Sequence, residues 1–97
     1  MEELISVAIM NSKDNVATAV RDLMAGEKVK TEDNNEIVLL DNIPFGHKVA
    51  IEDIPLGVEV IKYGEPIGLT VKPIKKGEHT HVHNVDGARG RGDKKGV

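Results

Sequence analysis

The stretch Ile43-Pro44-Phe45-Gly46-His47-Lys48-Val49 is repeated in outline eleven residues later as Ile54-Pro55-Leu56-Gly57-Val58-Glu59-Val60. Each copy places a glycine at a turn and an aliphatic strand after it, because glycine adopts positive φ at little cost. Weaker copies occur around Gly26 and Gly77. The period is too short and too irregular for a solenoid. The repetition therefore predicts recurring turns that connect short, coiled strands.

The chain downstream of residue 27 keeps this pattern of short β-rich runs between turn residues. Asp33-Asn34-Asn35 separates the first two runs, as a hairpin turn would. The alternation is typical of a compact all-β unit with many tight turns. The predicted strands are 28–31, 36–40, 48–51, 59–62, 69–72 and 78–82.

The chain upstream of the repeat predicts a strand followed by a helix. Ile5, Val7 and Ile9 alternate with smaller residues, which indicates a strand with one buried face. Ser12 and Asp14 then offer N-cap oxygens and Gly26 a left-handed C-cap. We therefore predict one helix over about residues 14–25 and a fold that is mainly β with that one helix (α+β). The apolar residues at helical spacing are Val16, Ala19, Val20, Leu23 and Met24.

Composition and charge exclude several classes of function. The 97 residues contain no cysteine, which excludes disulfides, thiolate metal sites and a thiol nucleophile. Residues 87–97 carry a charge of +3 and the remaining residues −6. An acidic body with Phe45 and Tyr63 as its two ring-stacking aromatic residues argues against a nucleic-acid groove.

The two ends of the chain predict its organisation and location. Residues 87–97 are rich in glycine and arginine, so we predict one domain over residues 1–86 and a flexible basic tail after it. No apolar run approaches the roughly 20 residues that span a bilayer, and the first residues lack the basic region of a signal peptide. We therefore expect a cytoplasmic protein with no membrane and no nucleic-acid partner.

Three of the four histidines lie in the pentapeptide His79-Thr80-His81-Val82-His83. On a strand, residues i, i+2 and i+4 point to one face, with adjacent members about 6.6 Å apart. Two imidazoles at that separation can bind one metal ion, whereas the third reaches it only if the strand bends. Imidazole suits zinc, iron and nickel. The run therefore predicts a metal site, with Glu78 as a further carboxylate, Asn84 as an amide that orients a ligand, and Thr80 and Val82 facing the core.

The same residues allow other interpretations. Hydrogen bonding to a substrate and general acid–base catalysis are equally open to histidines near neutral pH. A solvent-facing histidine edge, or an edge that contacts a partner, is the simplest alternative. Taken singly, His47, Lys62 and Tyr63 are explained as structural residues of turns and strand ends.

Four blocks of the sequence, Gly46-His47-Lys48, Val60-Ile61-Lys62-Tyr63-Gly64, Ile67-Gly68 and Gly77-Glu78-His79-Thr80-His81-Val82-His83-Asn84, carry a resemblance to a known family. They resemble the N-terminal domain of the altronate and galactarate dehydratases and the small subunit of the related sulfolactate sulfo-lyase. The likeness covers about residues 5–92. Thr80 departs from the pattern, since relatives more often carry an aliphatic residue there. The resemblance implies a β-clip fold of the SAF type.

The resemblance also implies an activity, a cofactor and a partner. The activity is removal of water from a sugar acid to give a 2-keto-3-deoxy acid, and the cofactor is a divalent metal, iron or manganese, which acidifies the α-proton as a Lewis acid. The family's large catalytic domain is not in this sequence, so we expect a small subunit that works with a large dehydratase subunit. The match does not decide which histidines bind metal and which contact substrate. The assignment is metal binding by His79, His81 and His83, catalysis by His47, Lys62 and Glu78, and substrate binding by Tyr63 and Asn84.

Other functions are left open by the sequence. Loss of sulfite from a sulfo-hydroxy acid, with the chain as the small subunit of a sulfo-lyase, is the nearest enzymatic variant. A stand-alone, non-catalytic module that binds a sugar acid or a metal is an alternative from another class. A scaffold whose histidines bind nothing is a third. The sequence also leaves a homo-oligomer open.

Overall fold

The computed structural model describes residues 6–31 and 35–87, which form nine strands in three antiparallel sheets. This mainly β architecture confirms the predicted β-rich class and is that of a small β-clip domain. The described part of the chain contains no helix long and apolar enough to cross a membrane. The strands are β1 Val7–Ala8, β2 Val16–Ala19, β3 Lys28–Lys30, β4 Glu36–Val38, β5 Lys48–Ala50, β6 Glu59–Lys62, β7 Glu65–Thr70, β8 His79–Thr80 and β9 Val85–Asp86.

A four-stranded sheet in the order β1-β2-β5-β8 lies between two hydrophobic cores. Ala17 and Val49 are paired across β2 and β5 and pack into the first core. Val16 and Ala50, the neighbouring pair, pack into the second. The sheet is therefore buried on both faces at its centre. Its order places β8, which begins the histidine run, directly beside β5.

The repeated turns have one conformation in four places and join distant segments. Each turn glycine has a φ between 78° and 92°. The aliphatic residues three positions earlier pair across isolated bridges, with backbone N–H groups donating to carbonyls in both directions at 2.7–2.9 Å. The predicted recurrence of the turn is confirmed. The glycines are Gly26, Gly46, Gly57 and Gly77, and the bridges join Leu23 to Ile43 and Ile54 to Ile74.

The helix predicted over residues 14–25 is wrong, because Val16–Ala19 forms strand β2. Three of these four residues are buried, since the strand has a core on each side. A strand buried on both faces shows a nearly continuous apolar run, which the helical spacing happened to fit. Val20 and Met24, which the helix would have buried, are 44% and 58% exposed.

The polar residues that predicted the start of the helix bind a different segment. The Asp14 carboxylate accepts the backbone N–H groups of Tyr63 and Gly64 at 3.1 and 2.8 Å. The Asn15 side chain donates to the Glu59 carbonyl at 3.0 Å and accepts from the Ile61 N–H at 2.8 Å. These contacts hold the loop before β2 against β6 and the turn after it.

Some predictions fall partly outside the described residues. The N-terminal residues 1–5, the predicted hairpin residues 33 and 34, and tail residues 88–97 all lie there. The strands that flank the hairpin, β3 and β4, pair antiparallel with Lys28 opposite Val38. Strand 59–62 is found as predicted, whereas strand 69–72 is instead Glu65–Thr70.

Candidate functional site

The histidine run begins on a strand and ends in a tight turn. Strand β8 stops at Thr80, and the N–H groups of Asn84 and Val85 both donate to the His81 carbonyl, at 3.1 and 3.0 Å. Thr80 is fully buried, as predicted. Val82 is 80% exposed, so the prediction that it faces the core is wrong, because the chain has already turned away from the sheet.

The bend brings the rings of His47, His79 and His81 together, and these three residues are called the histidine triad below. One ligand nitrogen from each lies within 4.8 Å of the others. His47 Nδ1 and His79 Nε2 are 2.9 Å apart, a distance at which the N–H of one ring donates to the lone pair of the other. The ring centroids of His47 and His81 are 4.5 Å apart.

Strand register explains why His47 joins the triad. On the β5–β8 ladder, Val49 lies opposite His79 and Lys48 opposite Thr80. One step further, the same register places His47 opposite His81. The strand pairing therefore brings the lone turn histidine next to His79 and His81, and no spacing within the sequence indicates the pairing of β5 with β8. The catalytic role that the resemblance implies for His47 stays a prediction.

His83, the third histidine of the run, lies at the margin of the triad. Its side chain is exposed, and its ring centroid is 5.3 Å from that of His79. The three histidines whose ring nitrogens lie together in the structure are thus not the three that the sequence assigned to a metal ion. The metal-binding role of His83 stays a prediction, and its position suits contact with solvent or substrate.

Two members of the triad, His79 and His81, lie in an environment that favours the neutral imidazole. Burial lowers the pKa of His79 below its ordinary value of 6.5, and the neighbouring His47, His83 and His81 lower it further, against a smaller opposing effect of Asp41. The pKa of His81 is also lowered, by burial first and then by His47, Lys48 and His83. Neutral imidazole is the form that binds metal.

Asn84 fastens the turn that follows strand β8. It is fully buried. Its Oδ1 accepts the His81 N–H at 2.9 Å, and its Nδ2 donates to the His79 carbonyl at 2.8 Å. Both polar atoms of the amide therefore bind backbone on either side of Thr80, and in this structure Asn84 orients the histidines.

Replacing the fully buried Asn84 with alanine should destabilise the domain by about 2 kcal/mol or more, because it leaves a partly buried N–H and a partly buried carbonyl without partners. Urea unfolding measures this. Asn42→Ala is the matched control, since the exposed Asn42 accepts one backbone N–H, from Ala25 at 2.8 Å. Its loss should cost less than about 1 kcal/mol. Equal costs for the two variants would contradict the role given to Asn84.

The remaining predicted site residues have separate places. The Glu78 carboxylate accepts the Lys75 N–H at 2.7 Å, as Glu27 in the equivalent turn accepts the Met24 N–H at 2.7 Å. Glu78 therefore has a structural contact in this turn, and its catalytic role stays a prediction. Lys62 is half-buried, with Nζ 5.0 Å from the centroid of the exposed Tyr63 ring. The catalytic role of Lys62 and the substrate role of Tyr63 stay predictions.

Two further residues lie next to the triad and were not assigned by the sequence. The His79 N–H donates to the Asp41 carboxylate at 2.9 Å, which fixes the start of β8. Lys48 is half-buried beside His81. Its pKa is lowered by burial and then by Lys62. The Gly46-His47-Lys48 turn was the one signal in the sequence that indicated Lys48.

The triad fits a divalent transition metal. Metal–nitrogen bonds of about 2.1 Å allow two ligand nitrogens up to about 4.2 Å apart, so small side-chain rotations would let all three imidazoles reach one ion. Three imidazoles suit iron, zinc or nickel and leave further positions for a substrate or water. The donor set and the lowered pKa values of two of its members are consistent with such a site.

The stability of the metal-free domain should fall as the pH decreases below about 6.5. The unfolded chain binds protons at His79 and His81 with the ordinary pKa of 6.5, whereas the folded chain binds them only at lower pH. The unfolded state therefore gains protons first, and stability is lost as the pH falls from 6.5 toward the folded pKa values. Urea unfolding between pH 7.5 and 5.5 measures the slope. The double variant His79→Gln/His81→Gln should flatten it, and an unchanged slope would contradict the prediction.

Residues 5–88 match the family model of the altronate/galactarate dehydratase SAF domain. Altronate dehydratase of Escherichia coli is 44% identical over 76 residues, which are 78% of this chain and 15% of the relative. The (2R)-sulfolactate sulfo-lyase subunit alpha of Chromohalobacter salexigens is 56% identical over 45 residues, covering 46% of this chain and 48% of the relative. The (2R)-sulfolactate sulfo-lyase subunit alpha of Paracoccus pantotrophus is 45% identical over 58 residues, which cover 58% of this chain and 87% of the relative.

The matches differ in how much of each relative they include. The chain spans about 15% of the length of the altronate dehydratase. By contrast, the matched region makes up most of the sulfo-lyase subunit alpha of Paracoccus pantotrophus. The same kind of domain therefore occurs within a long polypeptide in one relative and as most of a short subunit in another.

Proposed function

This chain belongs to the altronate/galactarate dehydratase SAF domain family, and from that membership we propose that it is the small component of a two-part lyase that acts on a hydroxy acid. The triad would hold a divalent metal, iron or manganese, at an active site shared with a large dehydratase subunit. The leaving group proposed is water, giving a 2-keto-3-deoxy acid. Loss of sulfite from a sulfo-hydroxy acid is the nearest variant.

The convergence of His47, His79 and His81 is the observation that carries the proposal. These residues are up to 34 positions apart, and their ligand nitrogens meet within 4.8 Å. Burial and neighbouring histidine rings lower the pKa of both His79 and His81, so the cluster disfavours protonation of these two rings. The neutral imidazole that results is the form that binds a metal. A bound cation accounts for the arrangement.

When bound, the metal would polarise the oxygen atoms of the acid and so make the adjacent C–H group more acidic. The chain's own residues do the rest of the work assigned to this domain. His47, His79 and His81 present their ring nitrogens to one point, and Asn84 and Asp41 fix the backbone of His79 and His81. The exposed His83, whose ring centroid is 5.3 Å from that of His79, is the proposed group to move a proton at the edge of the site, with the half-buried Lys62 as a second candidate.

The two sulfo-lyase relatives named as subunit alpha support a multi-subunit assembly. The chain matches nearly nine-tenths of one of them, so a domain of this size serves there as a separate subunit. A large subunit is therefore the proposed partner, and the isolated chain is expected to have no turnover of its own.

The test begins with recovery of the tagged chain from its own host, with identification of proteins that accompany it in stoichiometric amounts. The pair, supplied with Fe²⁺ or Mn²⁺, is then assayed with altronate, galactarate and (2R)-sulfolactate. Turnover is expected with one class of acid, and His81→Ala in the pair should reduce it by at least about 1,000-fold, a factor that corresponds to about 4 kcal/mol.

Two results would contradict the proposal. One is near-normal turnover by the His81→Ala pair. The other is recovery of the chain alone under conditions that preserve weak complexes, together with tight binding of a hydroxy acid. That second result would support the stand-alone binding module instead.

A further inference from the structure

A small cavity lies beside the histidine triad. Its volume is about 160 Å³. Aliphatic side chains form most of the wall, and Lys48 and His81 provide its cationic and imidazole groups. The lining residues are Lys48, Ile67, His81, Val82, Val85 and Gly87.

Lys48 has no anionic partner within residues 6–31 and 35–87. The charged group that acts most strongly on it is another lysine, Lys62. Taking an ammonium group partly out of water without a counter-charge is unfavourable, so the position calls for an explanation. Packing of the aliphatic part of the Lys48 side chain would account for its partial burial. It would not account for the second lysine, Lys62, close to it.

The repeated turn supplies an internal comparison. Lys28 follows Gly26 by two residues, just as Lys48 follows Gly46, and both begin a strand. Lys28 is exposed, whereas Lys48 is half-buried. Of the two copies of the turn that carry a lysine at this position, only the one that also carries His47 partly buries it.

We propose that this cavity binds the carboxylate end of a small 2-hydroxy acid, with the Lys48 ammonium group as the partner of the carboxylate. A carboxylate there would supply the missing counter-charge, and Lys62 would add to the attraction. The aliphatic wall would strengthen the ion pair by excluding water. Because His81 lines the same cavity, the bound acid would lie against the triad. The identification of this acid as the substrate rests on the proposed function above.

The volume limits how much of the acid the cavity can enclose. About 160 Å³ corresponds to roughly five water molecules of about 30 Å³ each. That is enough for a carboxylate and the adjacent hydroxyl-bearing carbon, but not for a whole six-carbon sugar acid. The cavity would therefore recognise the common 2-hydroxy acid group, and the rest of a longer substrate would extend outside it.

The test uses the full chain, kept metal-free with a chelator at pH 7.5, and glycolate as the probe. Amide shifts followed by NMR should saturate at Lys48, His81 and Val85. Glycolamide, in which the carboxylate is replaced by a neutral amide, should produce no saturable shift. Lys48→Met should weaken glycolate binding by at least about tenfold, whereas the control Lys28→Met should change it by less than about twofold.

Lys48→Gln provides a second variant should the methionine variant unfold, and thermal unfolding of each variant verifies the fold. The subsite is overturned if Lys48→Met and Lys48→Gln bind glycolate as well as the native chain does. It is also overturned if glycolamide binds equally well, or if 100 mM glycolate gives no saturable shift. Because this measurement requires neither metal nor large subunit, its failure leaves the proposed lyase function to be decided by its own assay.

Discussion

Replacing His79 with alanine is expected to weaken divalent-metal binding by at least about 100-fold while leaving the domain folded. Loss of outer groups that merely orient a metal ligand costs about 10–100-fold, so loss of a ligand itself should cost at least as much. The His79 ring contacts those of both other members of the triad, His47 and His81. Calorimetric titration with Zn²⁺ and Mn²⁺ measures the affinity, and thermal unfolding confirms the fold.

The matched pair His47→Ala and His83→Ala distinguishes the structural triad from the set of histidines assigned by the sequence. His47→Ala should weaken binding as strongly as His79→Ala, because it removes another nitrogen of the group within 4.8 Å. His83→Ala should change the affinity by less than about threefold, since the exposed His83 lies outside that group. A strong effect of His83→Ala with no effect of His47→Ala would sink the structural assignment and restore the one based on sequence.

Replacing Gly77 with alanine should destabilise the domain by about 3 kcal/mol or more. A left-handed backbone costs a residue with a Cβ about 1–2 kcal/mol. In addition, a Cβ at Gly77, where φ is +91°, would overlap the Val38 carbonyl oxygen. That carbonyl belongs to the backbone of β4 and cannot rotate aside, so the strand itself would have to shift at a further cost of about 1–3 kcal/mol. For a domain of this size the melting temperature should fall by more than about 10 °C.

Gly26→Ala is the control for this prediction. Gly26 has nearly the same φ, +92°, and a Cβ there would meet nothing within 4 Å. It should therefore cost only the conformational term of about 1–2 kcal/mol. The difference between the two variants isolates the close approach of the Val38 carbonyl. Equal losses would show that conformation alone, and not this contact, requires glycine at Gly77.

The turns and most of the later strands could be predicted from sequence because their signals are local. Glycine at a positive φ and the short aliphatic runs after it are properties of a few neighbouring residues. The helix prediction failed because the contacts that decide the conformation of residues 14–25 are not local. Val16 and Ala17 are buried in different cores, and Asp14 and Asn15 bind backbone about 50 residues downstream, a contact that no pattern within residues 14–25 reveals.

The candidate site could be predicted only in part, because its geometry also depends on contacts between residues far apart in the sequence. The run from His79 to His83 is visible in the sequence, but its geometry depends on a turn that begins after Thr80 and is fastened by the buried Asn84. The inclusion of His47 depends on the register of β5 with β8. Only the family resemblance placed His47 at the site in advance, and only the fold indicates that it lies within ligand distance of His79.

The way in which the chain joins distant segments has a consequence for when a metal can bind. His47 and His79 are 32 residues apart, and Asp41 and His79 are 38 apart. Contacts of such long sequence separation form late and slow the folding of β proteins. A divalent ion held by all three rings would therefore bind after folding, once His47 has joined His79 and His81. Such an ion would stabilise the folded domain, and the free energy of unfolding would rise in proportion to the logarithm of the free metal concentration. Resistance to proteolysis would rise with it.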